Sequence, residues 1–184
     1  MSLLSVIVPC YNEEESVALF YQELTKNDPF FKEKEIELEL LYIDDGSKDG
    51  TVREVKKLIE QDSRVHVVSF SRNFGKEAAI FAGLAQACGD VVAVMDCDLQ
   101  HPPQTLLEMY RLWQEGYEVI EGVKADRGKE GFLHKECARF FYDIMSKATK
   151  VNMKDASDFK MMDRKAVDSI LSLSLIHISE PTRP

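Results

Sequence analysis

Leu3 to Val8 is a short, almost wholly apolar run rich in β-branched residues, the pattern of a strand covered on both faces, and Pro9 is expected to end it. The period then changes. From Glu13 to about Thr25, Val17, Phe20, Tyr21 and Leu24 form one helical stripe with acidic residues crowding the first turn, and Asn27, Asp28 and Pro29 close that element. A second strand is predicted from about Ile36 to Ile43, a helix over Thr51 to Gln61 and a third strand over Val65 to Phe70. Lys76 to Cys88, apolar on nearly every face from Ala78 onward, predicts a buried helix with Gly89 as its C-cap. A fourth strand (Val91 to Met95), a helix (about Gln104 to Glu115) and a fifth strand (Val119 to Val123) follow.

Strands alternating with helices in this way predict an α/β fold, a doubly wound and mostly parallel sheet with helices on both faces, whose ligand lies outside the carboxyl ends of the strands. The polar clusters fall at those ends. Asn12 and Glu13 follow the first strand, Asp44 and Asp45 the second, Arg72 and Asn73 the third, Asp96 and Asp98 the fourth. Beyond Val123 the alternation stops, and the charged segment Lys124 to Gly131 is expected to be a mobile loop. Leu133, Cys137, Phe140, Phe141, Ile144, Met145 and Ala148 then keep helical spacing, either as a surface helix packed on the sheet or as a basic amphipathic helix touching a membrane surface. Ser174 to Pro184 carries no periodicity that continues the preceding helix and is similar to translated adapter or read-through sequence. The domain is therefore expected to be residues 1–173, with the native protein continuing past Leu173.

With 184 residues the chain can bury a real core as one domain, and 45% hydrophobic with 30% charged residues excludes disordered and collagen-like classes. Lys and Arg number 23 against 32 Asp and Glu, a formal charge of −9, which argues against nucleic acid as a partner but leaves room for one phosphate bound locally. The four cysteines show no CxxC spacing, and reduced thiols are expected. With no signal-peptide pattern and no run of about 18 apolar residues, the expected location is cytoplasmic.

Asp96 and Asp98, one residue apart at a strand end, are either a solvated turn or oxygen ligands for a hard divalent cation, Mg²⁺ or Mn²⁺, whose shell the phosphates of a substrate complete. Gln100 and His101 add polar atoms, and Pro102-Pro103 fixes the exit of the loop. Asp44-Asp45-Gly46-Ser47 reads either as ordinary turn and N-cap chemistry or as a carboxylate for a nucleobase or ribose.

Four segments, Val6 to Glu14 (VIVPCYNEE), Ile43 to Thr51 (IDDGSKDGT), Ser71 to Lys76 (SRNFGK) and Met95 to Pro103 (MDCDLQHPP), resemble in order and spacing the family 2 glycosyltransferases of GT-A fold. Within that family the resemblance points to the polyprenyl-phosphate glycosyltransferases, which include dolichyl-phosphate mannose synthases and bactoprenol glucosyltransferases, and it covers about residues 3 to 173. It implies a nucleotide-sugar donor bound by Pro9, Tyr11, Glu13, Asp45, Arg72, Lys76 and Asp96, and a metal held by Asp96, Asp98 and Gln100. It further implies Asp158, in Ser157 to Arg164 (SDFKMMDR), as the active-site acid. Arg127 and Arg139, with Lys135, fall near the expected acceptor phosphate. The implied acceptor is a polyprenyl phosphate lipid, reached at the cytoplasmic face of the membrane in the full-length protein. Family members more often carry Ala where Cys97 stands, a small apolar substitution, and many carry transmembrane helices beyond the catalytic domain.

The implied reaction is sugar transfer to the lipid phosphate with inversion at the anomeric carbon. A phosphatase of the haloacid dehalogenase kind also uses DxD, but near the first strand and with Thr or Val where Gln100 stands here. A dinucleotide-dependent dehydrogenase lacks support because no GxGxxG follows the first strand. A nucleotide-binding module without catalysis and a family 2 transferase with a non-lipid acceptor remain as alternatives.

Overall fold

The computed structural model describes residues 1–122 and 159–179, with side chains as far as residue 172. In chain order the elements are β1 (Ser2–Cys10), α1 (Ser16–Thr25), α2 (Asp28–Glu33), β2 (Ile36–Asp44), α3 (Thr51–Gln61), β3 (Val65–Ser69), α4 (Lys76–Gln86), β4 (Val91–Val94), α5 (Thr105–Gln114), β5 (Val119–Glu121), β6 (Lys160–Asp163) and α6 (Arg164–Ser179).

The strands form one sheet in the order β3-β2-β1-β4-β6-β5. β3, β2, β1 and β4 run parallel, in registers such as Val8 beside Tyr42 and Ile7 beside Val94, whereas β6 lies antiparallel between β4 and β5. Successive residues of each central strand feed opposite faces. Val6, Val8 and Tyr42 pack with Phe20, Val55 and Tyr110 of α1, α3 and α5, while Ile7, Leu41 and Val92 pack with Leu84 and Val167 of α4 and α6. This is the doubly wound α/β architecture that the alternation of strand and helix predicts.

Several elements depart from the sequence reading. β1 continues through Pro9 to Cys10 rather than ending at Pro9. The Met95 N–H bonds to Ile7 O and the Asp45 N–H to Cys10 O, so residue 9 aims its missing donor to the β4 side, past the point where β4 pairs. α1 begins at Ser16 because Glu13 to Glu15 form the turn before it, and Asn27, Asp28 and Pro29 open the short helix α2 instead of merely closing α1. α4 is only half-buried, with Ala79, Gly83 and Leu84 fully covered. It ends at Gln86, and Ala87 turns extended (φ −61°, ψ 132°), so Gly89 is not its C-cap; the Gly89 N–H instead bonds to Ser5 Oγ at 2.8 Å. α6 runs to Ser179, through the first part of the segment set aside as non-continuing.

β6 was not anticipated as a strand. Its four residues put Met161 into one core layer and Met162 into the other, and Arg164 behind it donates to Gly89 O at 2.6 and 2.8 Å and to Ala87 O at 2.8 Å. Val123, the charged segment Lys124 to Gly131 and the amphipathic stretch Leu133 to Ala148 lie outside the described residues.

Candidate active site

The loops at the carboxyl ends of β1 to β4 are tied to one another by side chains that cap backbone groups. Asn12, at φ 56°, donates its N–H to Ser47 Oγ (2.9 Å), and its Oδ1 accepts the Lys48 N–H (2.9 Å). The Glu13 N–H bonds to Thr51 Oγ1 at 2.8 Å, and the Glu14 carboxylate accepts the Gly50 N–H at 2.9 Å. Gly46 (φ 72°) passes so close to the Arg72 backbone that a Cβ would stand 2.5 Å from its carbonyl carbon, which only glycine permits. The rim formed by Pro9, Tyr11 and Glu13 is thus held by the β2 turn rather than by its own residues.

The two acids of that turn have different jobs. Asp44, 2% exposed, accepts the Ser47 N–H (3.0 Å) on Oδ1 and the Ser69 hydroxyl (2.6 Å) on Oδ2, so it closes the turn and straps β2 to β3. Asp45 lines the cleft, yet its Oδ1 accepts the Phe74 N–H at 2.7 Å and its Oδ2 the Gly75 N–H at 2.9 Å. These bonds fix the turn from which Lys76 opens α4, and Lys76 Nζ lies 2.7 Å from Asp96 Oδ1. Nothing in the local sequence around Asp45 signals this tether, whose partners are about thirty residues further on.

Together these residues enclose an open cleft of about 300 Å³, and of the residues expected to bind donor or metal, Pro9, Tyr11, Glu13, Asp45, Lys76, Asp96 and Asp98 all line it. Arg72 does not. It stands in an adjoining cleft of about 410 Å³, shared with Tyr11 and Asn73, with its guanidinium 4.7 Å above the Phe74 ring. Gln100 follows on the Asp98 loop, its N–H bonded to Asp98 Oδ1 at 3.0 Å, and its side chain is not part of the cleft lining. Leu99 between them sits at φ 58°, a left-handed conformation that is costly for leucine and reverses the chain after Asp98. Among the described residues no three His, Cys, Asp or Glu side chains converge on a metal position.

The sequence reading missed the floor of the cleft. Cys10 and Cys97, 3% and 2% exposed, both line it, and interaction of the Cys10 S–H with Cys97, reinforced by burial, pushes the Cys10 thiol well above its ordinary value. A signal existed in the register, since three residues beyond the Ile7–Val94 pair of β1 and β4 are Cys10 and Cys97. The His101 ring meets the Phe159 ring with centroids 5.0 Å apart, which joins the Asp98 loop to the start of β6. Asp158, Arg127, Lys135 and Arg139 lie outside the described residues.

The profile described as Glycosyl transferase family 2 matches residues 5–171. The putative glycosyltransferase CsbB of Bacillus subtilis is 40% identical over 94% of this chain and 51% of its own length, and the prophage bactoprenol glucosyl transferase homolog of Escherichia coli K12 is 36% identical over 91% and 54%. The chain spans about half the length of these curated relatives. Among solved structures, a mannosyltransferase from Pyrobaculum calidifontis in complex with GDP-Man and Mn²⁺ superposes with a TM-score of 0.65 at 22% identity, covering 92% of this chain and 46% of that one. TarS of S. aureus in complex with UDP-GlcNAc gives 0.61 at 23% identity, covering 91% and 47%. Both likenesses bear on the fold, which is that of GT-A glycosyltransferases.

Proposed function

Since the chain belongs to the family 2 glycosyltransferases, we propose that it is the catalytic part of an inverting enzyme that moves a sugar from a UDP- or GDP-sugar to a polyprenyl phosphate with the aid of Mg²⁺ or Mn²⁺. The observation that carries this reading is the convergence of Lys76, Asp96 and Asp98 in one cleft at the carboxyl ends of parallel strands. The bactoprenol glucosyl transferases among the relatives support the lipid acceptor, and the nucleotide complexes among the fold neighbours support the donor.

The donor set fits a hard cation. Asp96 and Asp98 offer only carboxylate oxygens toward the cleft, and the Cys10 thiol on its floor is pushed away from its thiolate form, which disfavours a thiolate-seeking ion. Asp96, Asp98 and, by the motif, Gln100 would hold the ion. When bound, it would supply positive charge where the diphosphate gains negative charge as the sugar–phosphate bond breaks. Lys76, beside Asp96, is within reach of the same phosphates. Tyr11, 44% exposed, and Glu13 offer a ring face and a carboxylate to the nucleoside. A phosphate monoester with a second pKa of about 6 is already anionic near neutral pH, so the acceptor needs little deprotonation. Asp158 orients that acceptor or takes a residual proton, and Arg127 or Arg139 holds its phosphate through paired N–H donors. The first of these three assignments comes from the Ser157 to Arg164 motif, and the other two from the place where the family carries basic residues near the acceptor phosphate. An Asp158→Asn variant with full turnover would remove the first of them.

The alternative reading, a nucleotide-binding module without transfer, is separated from this one by experiment. The test is thermal unfolding with UDP, GDP and their sugar conjugates, with and without Mn²⁺, followed by transfer to a short-chain polyprenyl phosphate. Ligand at about 100 times Kd adds roughly 2.7 kcal/mol, a shift of about 5 to 11 °C for a chain of this size. A metal-dependent shift with one nucleotide and sugar transfer are expected. A shift without transfer supports the module, and no shift with any nucleotide refutes the donor site.

A further inference from the structure

We propose that Lys76 is the resident counter-ion of Asp96, holding the cation's seat until a divalent ion and a nucleoside diphosphate arrive, so that the two ligands bind cooperatively. The proposal rests on the donor and metal reading above and assigns how its two ligands are coupled.

Lys76 Nζ lies 2.7 Å from Asp96 Oδ1, and the two side chains are 40% and 31% exposed, so the pair is part-shielded within the cleft. A bond of this kind between ionised groups is short and strong. The backbone beneath it is rigid, because Asp45 grips the Phe74 and Gly75 N–H groups and Gly75 directly precedes Lys76. The side chain is not, since an ammonium on a four-carbon stem can swing while its Cα stays fixed.

A divalent ion bound to Asp96 and an ammonium at hydrogen-bond distance from the same carboxylate repel one another. Metal entering alone must therefore displace Lys76 from Asp96, and its affinity suffers. A diphosphate changes this. Its oxygens share the ion with Asp96 and accept the displaced ammonium, and Gly75, Lys76 and Ala79 at the start of α4 already line the cleft where those oxygens would sit. Each ligand then makes the other's binding easier by the same factor, as linkage requires.

The experiment is Mn²⁺ titration followed by electron paramagnetic resonance of the free ion, with and without UDP or GDP, on the wild type, Lys76→Met, Lys76→Arg and Asp96→Asn, each shown to be folded by circular dichroism. In the wild type, nucleotide is expected to tighten Mn²⁺ binding on the order of tenfold or more. Lys76→Met should bind Mn²⁺ alone severalfold more tightly and lose a measurable part of the coupling, the remainder coming from the diphosphate oxygens that share the ion. Lys76→Arg should restore part of it. If Lys76→Met leaves both Mn²⁺ affinities unchanged, or weakens binding of the ion alone, the proposal is overturned while the metal site stands. If wild type and Asp96→Asn bind Mn²⁺ equally with nucleotide present, the metal reading itself fails, and the counter-ion role with it.

Discussion

Replacing Asp45 by Asn isolates the tether on which the cleft depends. The carboxylate, 3% exposed, accepts the Phe74 N–H at 2.7 Å and the Gly75 N–H at 2.9 Å, and hydrogen bonds to an ionised group contribute about 1.5 to 3 kcal/mol each. Asparagine keeps one acceptor and turns the other into an NH₂ facing an N–H, so one bond is lost and a donor is left unpaired. Relief of the buried charge offsets part of this, and a net local cost of about 2 kcal/mol remains. The turn carries little buried apolar surface, Phe74 itself being 54% exposed, so it should release locally before the sheet unfolds. The assay is amide hydrogen exchange by NMR. Exchange at Phe74 and Gly75 should quicken roughly thirtyfold, the equivalent of about 2 kcal/mol, while Ile7 and Val94 in the sheet stay protected, and nucleotide affinity should fall because Lys76 loses its seat. Unchanged exchange at Phe74 and Gly75 would refute the tether; equal quickening in the sheet would refute its local character.

Two further changes test the framework around the cleft. Gly83→Ala places a methyl 2.4 Å from Ile7 Cγ2; overpacking of about 1 to 3 kcal/mol outweighs the gain in helix propensity of about 1 kcal/mol, so urea unfolding should show a loss of about 1 kcal/mol. In an Ile7→Ala background the methyl has room and the same change should stabilise; additivity of the two changes would count against the contact. Hydrogen bonds from Arg64 first, and then the Tyr21 hydroxyl, hold Asp62 down to about 2 despite partial burial. A depressed folded-state value stabilises above the unfolded pKa of about 3.9 and is lost as pH falls toward 2, so the stability gap between wild type and Asp62→Asn should narrow by about 1 kcal/mol between pH 5 and 2.5, after allowance for solvent screening. A pH-independent gap would show that Asp62 acts only through packing.

What the sequence determined by itself is whatever repeats or punctuates locally. The bounds of α3 at Thr51 and Gln61, the apolar runs of β1, β2 and β4, and the polar clusters at the strand ends were legible, because a strand buried on both faces and a helix with one wet face leave different periods in the chain. The resemblance carried by four ordered motifs added the family and most of the residues lining the cleft. Tertiary structure alone decided who partners whom. Lys160 to Asp163 carries no strand signal longer than two methionines, and it becomes a strand because the gap between β4 and β5 offers backbone partners on both sides. Asp44 and Asp45 are chemically identical neighbours, yet one closes its own turn and the other holds a turn about thirty residues away, since consecutive side chains at a strand end face opposite directions. Lys76 meets Asp96, and Cys10 stands beside Cys97, only because α4 and β4 both dock on β1. Periodicity records the faces a segment must bury, but contacts between distant segments are set by the packing that buries them.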